Sequence, residues 1–244
     1  MNASSLPHPF SVIPGNPIIA ILPPSKGKVR TRKVVKRSNA RATGKYFSWK
    51  VQRMIQWESI HELHAFHMLD ADLTVQSFGE QPMTIEYRIG DVETYHVPDI
   101  LVCTKMGWEV WEVKPANDAK DEDVLARTKL MGQSLPAHGY RYRMIIGEDL
   151  AREPRHSTIK TLLKYGREDI GAIERETLRR QLAALTTLTW GEVCLGMFGE
   201  KCRAHVCRLL LEGALGWNSE VPLLHDTPLE LAPCAIKQPR NSEA

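Results

Sequence analysis

Apolar positions fall in blocks whose spacing shifts between helical and alternating along the chain. Residues 1–45 carry no sustained period: "MNASSLPHPFSVIPGNPIIAILPP" is broken by prolines and a cation-rich run follows, which predicts a disordered Pro-rich and basic arm. The spacing in "WKVQRMIQWESIHELHAFHMLDAD" predicts a helix ending near Asp70 to Asp72. "VQSFGEQP" and "MTIEYRI" are short β-rich runs, the second alternating cleanly. "VPDILVCTKMGWEVWEVKP", residues 97–115, reads as two strands joined near Gly107. "AKDEDVLARTKLMGQSLPAHG" opens with acids that suit a helix N-terminus and stops at Pro136 and Gly139, and "YRYRMIIG" is a further strand. Helix, strands, helix, strand over residues 46–150 predicts an α/β domain, a mixed sheet flanked by helices.

After Gly147 the character changes. "STIKTLLKYGRE" and "IGAIERETLRRQLAALTT" read as helices, and "LTWGEVCLGMFG" and "EKCRAHVCRLLLEG" as two compact ones separated by glycine. "ALGWNSEVPLLHDTPLEL" reads as a small ribbon. Helix, turn, helix and ribbon outline a small winged-helix-like domain over residues 151–234; the few cations of its second helix, "EKCRAHVCRLLLEG", suit docking to a protein better than entry into a DNA groove. Residues 235–244 read as a flexible tail.

Composition is that of an ordinary soluble chain: 244 residues, 43% hydrophobic and 25% charged, with no apolar run of the ~18 residues a membrane span needs. The N-terminus lacks a basic start before its apolar part and does not read as a secretory signal. Cys103, Cys194, Cys202, Cys207 and Cys234 show no C-x-x-C spacing, which points to free thiols in a reducing cytoplasm. Charge is uneven. Residues 26–50 hold ten Lys or Arg and no acid, while 22 basic residues face 29 acidic ones elsewhere. Such a block suits a polyanion, most simply DNA, with Arg30, Arg32, Lys33, Lys36, Arg37, Arg41, Lys45 and Lys50 as candidate contacts; a solvated arm that aids solubility is the plainer account.

The chemistry sits in residues 97–115. On a strand, Glu112 and Lys114 share one face, with the Val113 backbone carbonyl between them as a further oxygen donor. If the hairpin closes through "TKMG", Asp99 comes beside the end of the second strand and the three side chains converge. Two carboxylates about 4 Å apart repel by about 4 kcal/mol at an effective dielectric of ~20, so a cation or a shared proton must lie between them. Oxygen ligands favour Mg2+ or Mn2+, which can polarise a phosphoryl oxygen and acidify bound water, while Lys114 orients that water or steadies charge on the phosphate. An exposed hairpin with a surface Glu–Lys pair is the alternative. In the preceding helix, Glu62 lies on the wheel near Phe66 and Leu69, and an acid on a partly apolar face needs a partner: the metal, or an arginine. "HELHAFH" lacks the H-E-x-x-H spacing of a helical zinc site, so His61, His64 and His67 read as helix-surface or DNA-proximal residues. Arg127, Lys129 and Gln133 could meet DNA or simply face solvent.

Taken in order, "ESIHELHAF", "EQP", "YHVPDILV" and "WEVKP" resemble the TnsA endonuclease subunit of Tns-type heteromeric transposases, proteins with a restriction-endonuclease-like PD-(D/E)xK core. The resemblance is strongest from Trp57 to Pro115 and continues loosely through "LTWGEVCLGMFG" and "VCRLLLEGAL". It implies catalytic acids at Glu62 and Asp99 and a metal-side motif at Glu112 and Lys114, where some members carry Gln in place of Glu112. It also implies cutting of double-stranded DNA at the 5′ ends of a mobile element, with a TnsB-like integrase-type transposase acting at the 3′ ends. A TnsC-like AAA+ ATPase is the other implied partner, contacting the C-terminal region, in a bacterial cytoplasm. A stand-alone restriction- or repair-type endonuclease and a non-catalytic DNA-binding scaffold are the alternatives.

Overall fold

A computed structural model describes residues 10–31 and 42–231. Two compact units divide them: one runs through Asp70 and resumes at Thr74–Ala151, and the other comprises Ala71–Leu73 and the chain from Arg152 on. The described residues form a mixed α/β protein with several small sheets and seven α-helices, none long and apolar enough to cross a membrane. Cys103, Cys202 and Cys207 are buried free thiols; Cys234 and the 235–244 tail lie outside the described residues.

The first unit begins with β1 (Ile18–Leu22), inside the arm expected to be unstructured. Ile18 and Ile21 are buried, and β1 pairs antiparallel with a later strand. The prolines bound this apolar run instead of breaking it, and Pro17, which cannot donate, still accepts a hydrogen bond from Arg88 N through its carbonyl. Next come β2 (Gly44–Ser48) and β3 (Arg53–Trp57), an antiparallel pair. The sequence reading put β3 at the start of a helix. Gln52 turns the chain at φ 53, and the bare Cα of Gly44 lies against the Trp57 ring, where a Cβ would come within 2.4 Å. Both contacts are unseen by a periodicity count. Helix α1 (Ile60–Ala71) therefore starts only at the S-x-x-E signal: Ser59 Oγ accepts from Glu62 N, and Glu62 Oε2 accepts from Glu58 N. At its end, the buried Asp70 accepts from Tyr46 Oη and Ser48 Oγ, tying the β2–β3 pair to the helix.

There follow β4 (Val75–Glu80), β5 (Thr84–Ile89), β6 (Val92–His96), β7 (Ile100–Thr104) and β8 (Gly107–Lys114), then α2 (Glu122–Ser134), β9 (Tyr140–Ile146) and the short α3 (Gly147–Leu150). Asp121 caps α2 by accepting from Asp123 N and Val124 N. β7 and β8 form the expected hairpin, closing where Thr104 pairs with Gly107, whose φ of 120° favours glycine. The central sheet has order β4-β7-β8-β9 with β8 and β9 parallel, and β1-β5-β6 form a second sheet. Alternation sends Ile100, Val102, Trp111 and Val113 into a core with Ala65, Phe66 and Leu69 of α1. Leu101, Val110 and Tyr140 join Met131 and Leu135 of the α2 segment in another core. Both faces of β8 are thus covered, and its acids Glu109 and Glu112 are buried.

In the second unit, α4 (Arg155–Tyr165) and α5 (Ala172–Ala183) lead to β10 (Leu188–Thr189), α6 (Trp190–Cys194), α7 (Cys202–Glu212), β11 (Leu215–Gly216) and β12 (Pro228–Leu231). Thr189 and Glu192 cap α6 reciprocally, and the three strands form a ribbon of order β10-β12-β11. Buried Leu162, Leu163, Val206 and Leu210 come from the apolar stripes of α4 and α7.

Glu80 ends β4 at 1% exposure. It takes Arg53 on both carboxylate oxygens (Nη2–Oε2 2.7 Å, Nη1–Oε1 3.0 Å) and Arg30 Nη1 at 2.6 Å. Removing its charge leaves two guanidiniums facing a neutral amide, although both can still reach water. Glu80→Gln should therefore lower stability by about 2 kcal/mol in urea unfolding; a loss under about 0.5 kcal/mol would show that water satisfies the arginines.

Candidate active site

The register Ile100↔Trp111 places Asp99 and Glu112 at the next step of the ladder, opposite one another and on the face that α2 covers. Lys114, two residues on, shares that face. Asp99 is half-buried; its Oδ2 accepts from Val113 N at 2.8 Å, and its carbonyl accepts from Gln81 N at 2.8 Å. Gln81 is buried at a left-handed φ of 44, and its own carbonyl takes Thr31 N at 3.0 Å. The "EQP" segment thus holds the backbone of Asp99.

Glu112 is 2% exposed. Lys114 Nζ sits 2.7 Å from its Oε1, and His96 Nε2 lies 2.9 Å from its Oε2. The His96 contact is close but off axis, so Oε2 is a buried oxygen with no well-aligned hydrogen bond. The two acids respond oppositely. Burial pushes Asp99 well above the usual carboxylate range, and the charges of Glu112 and Glu62 push it further. Burial also acts to raise Glu112, but His96 and Lys114 outweigh it and bring its pKa down to about 2. Lys114 loses some basicity to burial, yet Glu112 and Asp99 more than restore it, so it stays an ammonium.

Glu62 comes from α1, which covers the other face of the sheet; its carboxylate is bonded at its own helix start, to Glu58 N and Ser59 Oγ, and its charge reaches Asp99. Among the described residues, no three or more His, Cys, Asp or Glu side chains stand in a ready metal-holding group. The carboxylates repel, and each has settled on protein donors. The donor chemistry still fits a hard divalent cation: the groups are oxygen donors, Oε2 of Glu112 is not fully used, and the like charges around Asp99 would be relieved by added positive charge.

Of the expected DNA contacts, Arg30 is bonded to Glu80, Lys50 Nζ donates to the Leu69 carbonyl at 2.8 Å, and Lys45 is exposed on β2. Arg32, Lys33, Lys36, Arg37 and Arg41 lie outside the described residues. His61, His64 and His67 form a half-buried stripe on α1, with ring centroids 6.5 and 6.4 Å apart. The sequence reading missed His96, whose only local signal is its place three residues before Asp99. It also left Arg127 undecided; the side chain comes to 3.7 Å from Glu112.

One buried and one half-buried acid with an ammonium beside them are an inventory that phosphodiester hydrolysis can use. Residues 72–146 match the family model of the TnsA-like endonuclease N-terminal domain. The match spans less than a third of the 244 residues; it takes in Asp99, Glu112 and Lys114 and begins after Glu62. No curated protein matched the chain.

The opposed shifts have opposite linkage. Glu112, depressed to about 2, adds stability above its ordinary 4.5 that is lost as pH falls toward 2. Asp99, raised above 3.8, withdraws stability as pH climbs through and beyond that value. Asp99→Asn should therefore raise the melting temperature of the metal-free protein at neutral pH, and the gain should vanish by about pH 3–4. Melting curves across that range check it; an unchanged or lower neutral melting temperature would show that Asp99 is not destabilised in place.

Proposed function

We propose that this chain is a metal-dependent DNA endonuclease subunit of a cut-and-paste transposase, hydrolysing phosphodiester bonds at the 5′ ends of the element. The observation that carries this reading is the Asp99, Glu112 and Lys114 constellation, which falls within the segment matching the TnsA-like model. On this reading the first unit is a restriction-endonuclease-like nuclease domain. The second unit is winged-helix-like and docks partners. Those partners are a TnsB-like integrase-type transposase and a TnsC-like AAA+ ATPase, acting on double-stranded transposon ends in the bacterial cytoplasm.

Asp99, Glu112, Glu62 and the Val113 carbonyl would hold Mg2+, with Mn2+ as a substitute. Such an ion supplies Lewis acidity toward a phosphoryl oxygen and a more acidic bound water. Lys114, held as an ammonium by its acidic neighbours, donates hydrogen bonds to the attacking water or the phosphate and does not serve as base. Water's oxygen bonds to phosphorus as an ester P–O bond breaks, and the departing oxygen ends with the proton the water lost. Arg30, Lys45 and Lys50, with Arg32, Lys33, Lys36, Arg37 and Arg41 of the basic block, are proposed to track the DNA backbone.

Lys114→Ala and Asp99→Ala should abolish strand cleavage, as should chelation of the metal, while duplex binding stays within about twofold of wild type. Retained 5′-end cutting by either variant rejects the site. Incubating the pure chain with plasmid and Mg2+ separates a transposase subunit from a stand-alone restriction- or repair-type nuclease, since efficient cutting without partners favours the latter. A scaffold without catalysis predicts no cleavage under any condition. If about six cations of the basic block meet phosphates, DNA affinity should fall roughly a thousandfold between about 50 and 200 mM salt; a flat salt response in a filter-binding assay excludes that block as the DNA contact.

A further inference from the structure

Among the described residues, Arg127 is a cation beside the candidate site to which the proposed function gives no task. It projects from α2, the helix covering the face that carries Asp99, Glu112 and Lys114. Its Nη2 stands 3.7 Å from Glu112 Oε1, beyond hydrogen-bond reach, and Lys114 already holds that oxygen at 2.7 Å. The Arg127 Nε is buried and has no hydrogen-bond partner, while the side chain as a whole keeps 23% exposure. Tyr87, Tyr142 and Lys114 all feel its charge, so the guanidinium lies with the acids and not on the outer side of α2.

A guanidinium present only to neutralise Glu112 would close on it in a forked pair. This one holds off, with a buried donor unused. The charges suggest why. Three carboxylates would be balanced by a divalent ion together with Lys114, which leaves Arg127 as surplus positive charge, the complement of one phosphodiester. Its planar fork matches non-bridging phosphate oxygens and keeps its charge at every working pH.

We propose that Arg127 is a further catalytic residue: its guanidinium donates hydrogen bonds to a non-bridging oxygen of the scissile phosphate and holds the charge that grows there as water attacks. The assignment rests on the nuclease reading above. Arg127 contributes no atom to the reaction; it is an electrostatic donor. Loss of one such donor typically lowers turnover about a hundred- to a thousandfold.

The test follows nicking of supercoiled plasmid by the full chain with Mg2+, with and without the proposed transposase and ATPase partners. Arg127→Ala and the closer-shaped Arg127→Gln should lower turnover about a hundredfold with KM within about twofold, and Arg127→Lys, which keeps charge without the fork, should recover part of the loss. If the alanine variant melts early, the glutamine variant decides. Nicking by Arg127→Gln at the wild-type rate overturns the assignment. So does a variant whose plateau rate is unchanged while the acid limb of its pH–rate profile moves to higher pH, because that marks a mere counter-ion of Glu112. A wild-type chain that leaves the plasmid intact in every mixture removes the nuclease reading and this assignment with it; an active wild type beside an equally active Arg127→Gln removes the assignment alone.

Discussion

The contacts of Glu112 with Lys114 at one oxygen and with His96 near the other are what let the β7–β8 hairpin end as it does. Antiparallel register, carried one step beyond its last pair, brings Asp99 and Glu112 opposite one another, with Glu112 buried and Asp99 half-buried. Two ionised carboxylates there would repel by several kcal/mol. The protein resolves the conflict asymmetrically. Lys114 and His96 hold Glu112 as the anion, while Asp99, bonded only to backbone at Val113 N, is the acid that favours its proton. Every other feature of the centre answers to that imbalance: Lys114 must stay charged, and additional positive charge would be met by Asp99 losing its proton.

Much of the first unit was legible because its signals are local. β4, β5, the hairpin with its "TKMG" closure, the acid-capped α2 and β9 each announce themselves within a dozen residues. β1 was hidden by the prolines around it, and β3 by a spacing that also fits a helix until Gly44 is seen beneath Trp57. β6 was hidden because nearly all of it faces solvent and it carries no apolar stripe. The site divides the same way. Asp99, Glu112 and Lys114 lie in one hairpin and their alignment follows from period and turn. His96 reaches Glu112 from the second sheet, and Arg127 returns to it along a helix, so both depended on tertiary packing. Glu62, read as an acid in need of a metal or an arginine, has its own helix-start donors among its partners.

Buried acids alone do not mark the centre, since the unit has three on its sheet. Glu80 is matched by Arg30 and Arg53, and Glu109, at 5% exposure, by Arg141, Arg143 and the Trp111 indole. In both cases cations bond the carboxylate directly, no second acid is pressed against it, and the result is a closed structural ion pair. Glu112 is bonded directly by Lys114 as well, but differs in the rest. A second carboxylate lies one step beyond the hairpin's last ladder pair, one of the Glu112 oxygens lacks an aligned donor, and Arg127, a cation besides Lys114, stands short of hydrogen-bond contact. A cluster that is frustrated within the protein but would be satisfied by a cation and an anion from outside is what separates a site of chemistry from a structural salt bridge. That contrast, drawn among acids of one small sheet, supports the proposed site at the Asp99 end of the hairpin on grounds separate from any likeness to other proteins.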